Sequence, residues 1–493
     1  MKKIIRNTSL FILMFLSINT LGQKTVSKQT ADAFSRLAVE YNGRISTIGT
    51  LARDFTQKIT GKTEYNNYNA VQVFCGWLFF PQDWENEPMI HLKNKAIQKK
   101  LGVKNRLALT DFFYPEGAYR LPYLGLEMTD KSVVEADEKV NIILDVQRGR
   151  CLKIFPYNNK WLSLDDRLED VQSEDTIFIA NIIPLLAEQI YEGNEIEIQQ
   201  IITKIAKFQT QRVNSKISVA KIKMETAYNK LNIVDIIFKI NIIIALIAFI
   251  DLMFARIKSR KHNRIIKFLV ALTVIVSFLW LTVMLVFRGW ISGHLPMSNG
   301  YETMMFSSWI ILLLSLILHK QEVFFTGGLF ISGIALLVCY LSGLNPQMTN
   351  LVPVLQSPLL SIHVSLIIIS YSLLAFLTFN SIISLLLKVI TKEYIHDLKL
   401  TKTILLIAVL LLGCGIFVGA IWANNAWGRY WGWDPKEVWA LITFLVYGIA
   451  LYDKRLPFFR EPFIFHIYML LAFLTVLMTY FGVSIFLGGI HSY

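Results

Sequence analysis

Long apolar stretches dominate the chain from about residue 236 onward, whereas the preceding part mixes apolar and charged positions over short distances. An apolar stretch of about 20 residues is long enough for an α-helix to cross a bilayer. We predict eight spanning segments, some of them shorter than this length. They cover residues 236–255, 267–287, 303–318, 323–344, 360–388, 402–421, 437–452 and 463–486. This pattern predicts an all-α polytopic membrane bundle.

The stretch from residue 23 to residue 235 has no segment of spanning length, and its mixed composition is typical of a soluble domain. Residues 41–52 predict a turn and a short strand followed by a helix, and residues 152–157 predict another short strand. Between Glu192 and Asn232, apolar residues recur at helical spacing, which predicts a helical hairpin leading into the membrane. We therefore expect a mostly helical α+β domain.

The N-terminus has the layout of a secretory signal. Three basic residues precede an apolar run from about Ser9 to Ile18, and small or polar residues follow near Gly22. We expect residues 1–22 to be removed, although an uncleaved anchor would give the same orientation. Residues 23–235 are then an exported soluble domain, and residues 236–493 are the transmembrane domain.

The distribution of basic residues agrees with this orientation. Most lysines and arginines between the predicted segments fall in the connections that would face the cytoplasm, whereas the opposite connections hold only Arg288, Arg429 and Lys436. The net charge of +13 is therefore interpreted as membrane topology, with lipid as the surroundings and no nucleic-acid partner. We predict a multi-pass protein of the inner (cytoplasmic) membrane, with its soluble domain on the extracytoplasmic side.

The four cysteines form no C-x-x-C or C-x-x-C-H motif, so the chain is neither an obvious thiol oxidoreductase nor itself a c-type cytochrome. Cys75 and Cys151 fall in the predicted soluble domain, and whether they pair is left open. Cys339 and Cys414 fall in apolar segments, where a small buried residue is the ordinary interpretation.

Two histidines and a cluster of tryptophans share the predicted extracytoplasmic side. His363 begins the fifth segment, and His491 follows the eighth. Between them, residues 422–439 hold five of the chain's eleven tryptophans. An aromatic belt at the membrane interface is one explanation of the tryptophans, and solvated interfacial rings would explain the histidines. A flat apolar ligand is the other explanation. Indole rings offer apolar faces, and Gly428 and Gly432 would let the backbone approach closely. A porphyrin is such a ligand, and its iron can take two axial histidines.

Part of the same stretch also predicts a helix start. Asp434 would be the N-cap, Pro435 the first helical residue and Glu437 the third, with the glutamate reaching back as in a capping box. This structural role is compatible with a ligand role for the neighbouring tryptophans.

The stretch from Trp427 to Thr443 resembles the tryptophan-rich WWD signature of the CcsA/ResC family of system II cytochrome c biogenesis proteins. Residues 293–302 and 481–493 also resemble that family, so the resemblance covers residues 236–493. The exported domain is similar to the segment that precedes this half in fused CcsB–CcsA proteins of the Bacteroidetes type. That similarity rests on shorter motifs, Gly43–Arg44 and Thr50–Ala52.

The resemblance implies that haem b binds against the WWD loop, residues 422–439, with His363 and His491 as the axial ligands of its iron. The implied residues around the haem are Trp427, Gly428, Trp431, Trp433, Asp434 and Trp439. It further implies a haem lyase, or holocytochrome c synthase, which joins haem vinyl groups to the reduced cysteines of the C-x-x-C-H motif of apocytochrome c. No catalytic residue distinct from the haem site is expected, since positioning is the main requirement.

A CcsB/ResB-type membrane partner and a thiol reductant system are the further partners implied by the resemblance. The CcsB/ResB half precedes this region in fused proteins, so either a separate polypeptide supplies it or this protein has a narrower task. A haem carrier or exporter without ligation activity and a non-haem assembly scaffold are the alternative functions.

One departure from the family concerns an inner haem site. The family has a histidine at the inner end of the segment after the WWD loop, and Tyr452 stands there in this chain. Tyr452 as a phenolate ligand and His466, near the inner end of the last segment, are the candidates for an inner site. A neutral interfacial tyrosine and a structural histidine are the ordinary alternatives. Haem uptake from the cytoplasmic side is therefore left open.

Overall fold

The computed structural model describes most of the chain, and two of the sequence predictions lie outside the described residues: the signal segment 1–22 and His491. The chain folds into two compact units, residues 1–229 and 230–493. The described residues are 25–102, 106–125, 127, 129–157, 160–166, 173–212, 219–258, 260–341, 348–349, 355–391 and 398–487.

The described part of the first unit consists of helices and four two-stranded antiparallel sheets. The helices are Lys28–Phe34 (α1), Ile48–Thr60 (α2), Ala70–Phe79 (α3), Pro81–Trp84 (α4), Lys95–Leu101 (α5), Lys131–Gln147 (α6), Ser173–Glu192 (α7), Glu195–Arg212 (α8) and Val219–Leu231 (α9). The paired strands are Ala38–Tyr41 with Arg44–Thr47 (β1, β2), Glu64–Tyr65 with Tyr68–Asn69 (β3, β4), Ile90–His91 with Arg106–Leu107 (β5, β6) and Phe155–Tyr157 with Lys160–Leu162 (β7, β8).

The predicted strand and helix at residues 41–52 are confirmed, and local residue choices explain them. Asn42 and Gly43 have φ values of 53° and 71°, which closes the tight β1–β2 hairpin. Thr47 then caps α2 by accepting a hydrogen bond from the backbone N–H of Thr50. The strand predicted within residues 152–157 is β7. The stretch predicted as a helical hairpin contains two helices, α8 and α9, but α8 packs mainly against α7.

Tryptophans form the centre of the first unit. Trp77 and Trp84 are fully buried, with their rings edge-on at 6.5 Å between centroids. A Cβ at Gly76 would lie 2.3 Å from the Trp84 ring, so only glycine allows this packing. Cys75 is buried in this core and Cys151 is half-buried; both are free thiols, so no disulfide joins them.

A buried carboxylate attaches α9 to the rest of the first unit. Glu225 accepts two hydrogen bonds from the Arg44 guanidinium, at 2.9 and 2.8 Å. It also accepts hydrogen bonds from the hydroxyls of Ser46 at 2.7 Å and Thr50 at 2.6 Å. The side chains of Arg44 and Glu225 are only 10% and 3% exposed. A buried ion pair with this many hydrogen bonds is costly to break by removing one partner.

Replacement of Glu225 by alanine is expected to destabilise the first unit by about 3 kcal/mol, because it leaves the Arg44 guanidinium buried without its carboxylate. Hydrogen exchange of the α2 amides in the full chain measures this loss. The matched control is Glu138→Ala, which removes a more exposed ion pair with Lys58 and should cost less than about 1 kcal/mol. Equal losses in the two variants would contradict this account of Glu225.

The stability of the first unit is also expected to depend on pH through Asp54. Burial raises the pKa of its carboxyl to about 7, although the guanidinium groups of Arg53 and Arg44 lower it. The folded state therefore holds a proton that the unfolded chain releases near its ordinary pKa of about 3.9. Stability should fall as the pH rises toward and through about 7. Thermal unfolding should therefore give a higher midpoint at pH 5.5 than at pH 8. Asp54→Asn should remove the part of this difference that comes from Asp54.

The second unit is a bundle of long helices. They are Val234–Ile257 (α10), Arg264–Ser292 (α11), Gly300–Ile317 (α12), Glu322–Leu341 (α13), Pro358–Thr391 (α14), Leu398–Trp427 (α15), Pro435–Ile449 (α16) and Pro462–Leu477 (α17). A π-helical stretch, Met478–Leu487, continues α17. The prediction of a polytopic helical bundle is confirmed.

Among the described residues, seven helices are long and apolar enough to cross a membrane, one fewer than predicted. The difference is the predicted segment 437–452, which corresponds to α16. This helix has 15 residues, and at about 1.5 Å per residue it is shorter than the roughly 30 Å of a hydrocarbon core. The hydroxyls of Thr443 and Thr479 lie 3.0 Å apart and attach α16 to the π-helical stretch.

The second difference concerns the end of α15. The sequence predicts that the segment ends at residue 421, but the helix continues to Trp427. Gly428 has a φ of 73° and donates its N–H to the carbonyl of Asn424 at 2.9 Å, which ends the helix in the usual left-handed manner. The first two tryptophans of the predicted loop, Trp422 and Trp427, are therefore helical, and the loop itself is limited to residues 428–434.

Candidate functional site

A cavity of about 760 Å³ opens at one end of the helical bundle of the second unit. The starts of α12, α14 and α16 meet there with the ends of α13 and α15 and with the π-helical stretch. Its lining is mainly apolar and aromatic, with a few polar side chains. The volume and the lining are both typical of sites that bind small organic ligands.

His363 lies in the cavity wall, in the second turn of α14. Its Nδ1 is 2.7 Å from the carbonyl oxygen of Gly415 in α15. Because a carbonyl oxygen only accepts hydrogen bonds, Nδ1 carries the proton in this pair, and the lone pair of the neutral ring is on Nε2. Histidines that bind metals are commonly oriented by such a bond from the other ring nitrogen.

Glycine in α15 provides the space for this histidine. A Cβ at Gly419 would lie 2.6 Å from the His363 ring, and a Cβ at Gly415 would lie 2.7 Å from Ile367. The two glycines therefore let α14 and α15 approach closely where the ring is held. Neither glycine was singled out in the sequence, because the requirement arises between helices that are distant in the chain.

The predicted tryptophans occupy different places around the cavity. Trp431 lines it, together with Trp422, which was not among the predicted site residues. Trp427 packs edge-on against Trp422 at 4.9 Å, and Trp433 against Trp431 at 6.1 Å, between ring centroids. Trp439 is half-buried in α16. Of the six predicted haem-contact residues, only Trp431 belongs to the described lining, and Trp427 and Trp433 each pack against a lining tryptophan.

The carboxylate of Glu437 holds the loop at residues 428–434. One of its oxygens accepts hydrogen bonds from the backbone N–H of Gly432 at 2.8 Å and of Asp434 at 3.2 Å. The predicted capping box of Asp434 and Glu437 is thereby confirmed, with Pro435 as the first helical residue. Trp433, between the two bonded amides, has a φ of 55° and is 74% exposed. A bulky residue in this conformation requires such support from its surroundings.

A buried ion pair supports another wall of the cavity. Arg288 Nε lies 2.5 Å from Glu302 Oε1, and the two side chains are 0% and 1% exposed. The second oxygen of Glu302 accepts hydrogen bonds from the backbone N–H and the hydroxyl of Ser298, at 2.8 and 2.7 Å. Met297 and Ser298 line the cavity, so the pair positions this part of the wall. The sequence alone marks Arg288 only as a charge in a connection, because its partner Glu302 belongs to the next helix.

The two candidates for an inner site lie apart from the described cavity lining. Tyr452 follows α16 and is 66% exposed. His466 is buried in the second turn of α17, with Nδ1 3.0 Å from the Ser381 hydroxyl. Both are at the end of the bundle opposite to His363, because the chain reverses direction between successive helices.

The fold is that of a polytopic helical membrane protein with a large, mainly apolar cavity at one end of its bundle. Residues 297–491 match the cytochrome c assembly protein family. The chain is 33% identical to the cytochrome c biogenesis protein CcsA of Pelargonium hortorum, over 45% of this chain and 84% of that protein. The chain therefore belongs to the CcsA-type family of cytochrome c biogenesis proteins, as the sequence motifs predicted.

Two further relatives extend the comparison. The chain is 38% identical to CcsA of Chlamydomonas reinhardtii, over 44% of this chain and 66% of that protein. It is 31% identical to the protein NrfI of Wolinella succinogenes, and this alignment covers 95% of this chain and 55% of NrfI. Similarity to NrfI thus includes the first unit, and the chain spans about half the length of that relative.

Gly419→Ala is expected to destabilise the second unit, because the added methyl group would overlap the His363 ring. Overpacking of this kind typically costs about 1–3 kcal/mol. Gly448→Ala in α16 is the matched control, since a Cβ there meets no atom within 4 Å and alanine favours a helix. Thermal unfolding of the full chain in detergent should show a lower midpoint only for Gly419→Ala. Equal unfolding midpoints for the two variants would mean that the His363 ring can move aside for the added methyl group.

Proposed function

We propose that the cavity binds haem b on the extracytoplasmic side of the inner membrane and presents it for covalent attachment to apocytochrome c. The observation that carries this proposal is the orientation of His363 in the cavity wall. Its Nδ1 is bonded to the Gly415 carbonyl, so Nε2 is the nitrogen suited to an axial ligand of iron. The sidedness rests on the distribution of basic residues along the sequence.

The remaining cavity wall suits a porphyrin. Trp422 and Trp431 offer apolar ring surfaces to a flat ligand. Tyr480 and Ser484 of the π-helical stretch also line the cavity. We propose His491, which follows the last described residue of that stretch by four positions, as the second axial ligand. Two histidines from opposite sides would fix the plane of the porphyrin.

In the proposed reaction, the thiol S–H of each cysteine of a C-x-x-C-H motif adds across a vinyl double bond of the haem. One C–S bond and one C–H bond form, and no group leaves. Such an addition requires chiefly that thiol and vinyl group are held together, which agrees with a site built from a positioned histidine and tryptophans. We propose that a CcsB/ResB-type membrane partner and a thiol reductant system take part, the latter keeping the cysteines reduced.

A haem carrier or exporter without ligation activity is the second candidate, and the same cavity supports it. An assembly scaffold that binds no haem is the third. We confine the proposed haem site to the described cavity, since the His466 ring is bonded to Ser381 and Tyr452 is exposed. An inner site at Tyr452 or His466 stays a prediction from the sequence.

His363→Ala is expected to abolish the absorbance spectrum of haem with two histidine ligands in the purified full chain. His319→Ala is the matched control, because His319 is exposed near the other end of the bundle and should leave the spectrum unchanged. A His363→Ala protein with the wild-type spectrum would exclude His363 as a ligand. A wild-type protein that binds no added haem would favour the scaffold.

Ligation is tested separately from binding. The chain, with a CcsB/ResB-type partner, haem and a thiol reductant, is mixed with a peptide that contains C-x-x-C-H. A haem-lyase component yields a thioether product, detected as haem that stays with the denatured peptide. Bound haem without this product in the complete mixture would favour the carrier.

A further inference from the structure

Lys436 introduces a positive charge into the mainly apolar cavity. It is the only lysine or arginine among the described residues of the lining. The side chain is half-buried and belongs to the first turn of α16. A charged group in apolar surroundings is costly to bury, and such a group commonly marks a place where a ligand is bound.

The start of α16 does not explain this lysine. The cap uses the carboxylates of Asp434 and Glu437 and the backbone N–H of Lys436, which donates to Asp434 at 3.1 Å. Any residue with an N–H could occupy the position. The helix macrodipole disfavours a cation in the first turn, where acidic residues are preferred. The lysine is therefore locally unfavourable, as residues at functional sites often are.

Burial lowers the pKa of Lys436, and the neighbouring Asp434 carboxylate opposes this lowering by favouring the charged ammonium group. An ammonium group has three N–H donors, so it can bind a further anionic oxygen beside this neighbour. Arg288, another basic residue near the lining, is fully buried and paired with Glu302. An anionic group that enters the cavity would therefore meet Lys436 as its cationic partner.

We propose that Lys436 recognises a propionate carboxylate of the bound haem. This inference rests on the proposed function and extends it from the iron to the edge of the porphyrin. In haem b the two propionates lie on one edge and the two vinyl groups lie toward the other. A propionate held at the start of α16 would select one in-plane orientation, which places the vinyl groups away from Lys436. Lys436 is thus a specificity residue for the orientation of the haem.

The test compares haem b with its dimethyl ester, in which both carboxylates are uncharged. Each porphyrin is titrated by absorbance into the full chain in detergent, as wild type, Lys436→Gln, Lys436→Arg and Arg429→Gln. Arg429 is exposed in the same loop but does not belong to the described lining. For each variant, the affinity for haem b is divided by the affinity for the dimethyl ester, and these ratios are compared. The two porphyrins partition differently into the micelle, but this difference is the same for every variant and cancels.

We expect Lys436→Gln to reduce the preference for the free acid by about tenfold relative to wild type, as for the loss of one charge-assisted hydrogen bond. Lys436→Arg should retain part of the preference, and Arg429→Gln should retain all of it. An unchanged ratio in Lys436→Gln with normal histidine-ligated spectra would overturn this inference alone. An equal loss of the preference in Arg429→Gln would also overturn it, since any nearby positive charge would then have the same effect. Failure of the wild type to bind either porphyrin would overturn the haem proposal as well.

Discussion

The carboxylate of Glu437 closes the loop on which the arrangement at the cavity depends. By accepting the N–H groups of Gly432 and Asp434, it holds the residue between them, Trp433, in a left-handed conformation. The same bonds start α16 at Pro435, and Lys436 follows in its first turn. Because backbone amides need acceptors, this carboxylate fixes the shape of the loop by binding two of them.

Glu302 has a comparable role in the loop before α12. One of its oxygens pairs with Arg288, and the other accepts two hydrogen bonds from Ser298. Both glutamates are the third residue of a helix and reach back to the chain that precedes it. The difference is that Glu302 needs a cation, because it is almost fully buried, whereas Glu437 is only half-buried. Two walls of the cavity are therefore held by carboxylates that belong to the first turns of helices.

Local rules predicted the helix starts, but contacts between helices decided the rest of the site. The capping box at Asp434 and the turn at Asn42–Gly43 follow from residues a few positions apart, and the structure confirms both. The bond from His363 to Gly415 joins residues that are 52 positions apart, so no local pattern could reveal it. The sequence prediction ends α15 at residue 421 because it assigns the tryptophans to a loop, whereas no glycine stands between Trp422 and Gly428, where the helix ends.

The position of α15 governs both proposed contacts with the ligand. Its Gly415 orients the His363 ring, and its Gly419 leaves room for that ring. Its last residue, Trp427, leads through Gly428 into the loop that carries Trp431 and ends at the start of α16. The proposed iron ligand, His363, and the proposed carboxylate-binding residue, Lys436, would thus both be positioned by α15. Thioether formation without an acid–base residue depends on such fixed relative positions, because a small misplacement removes most of the advantage of proximity.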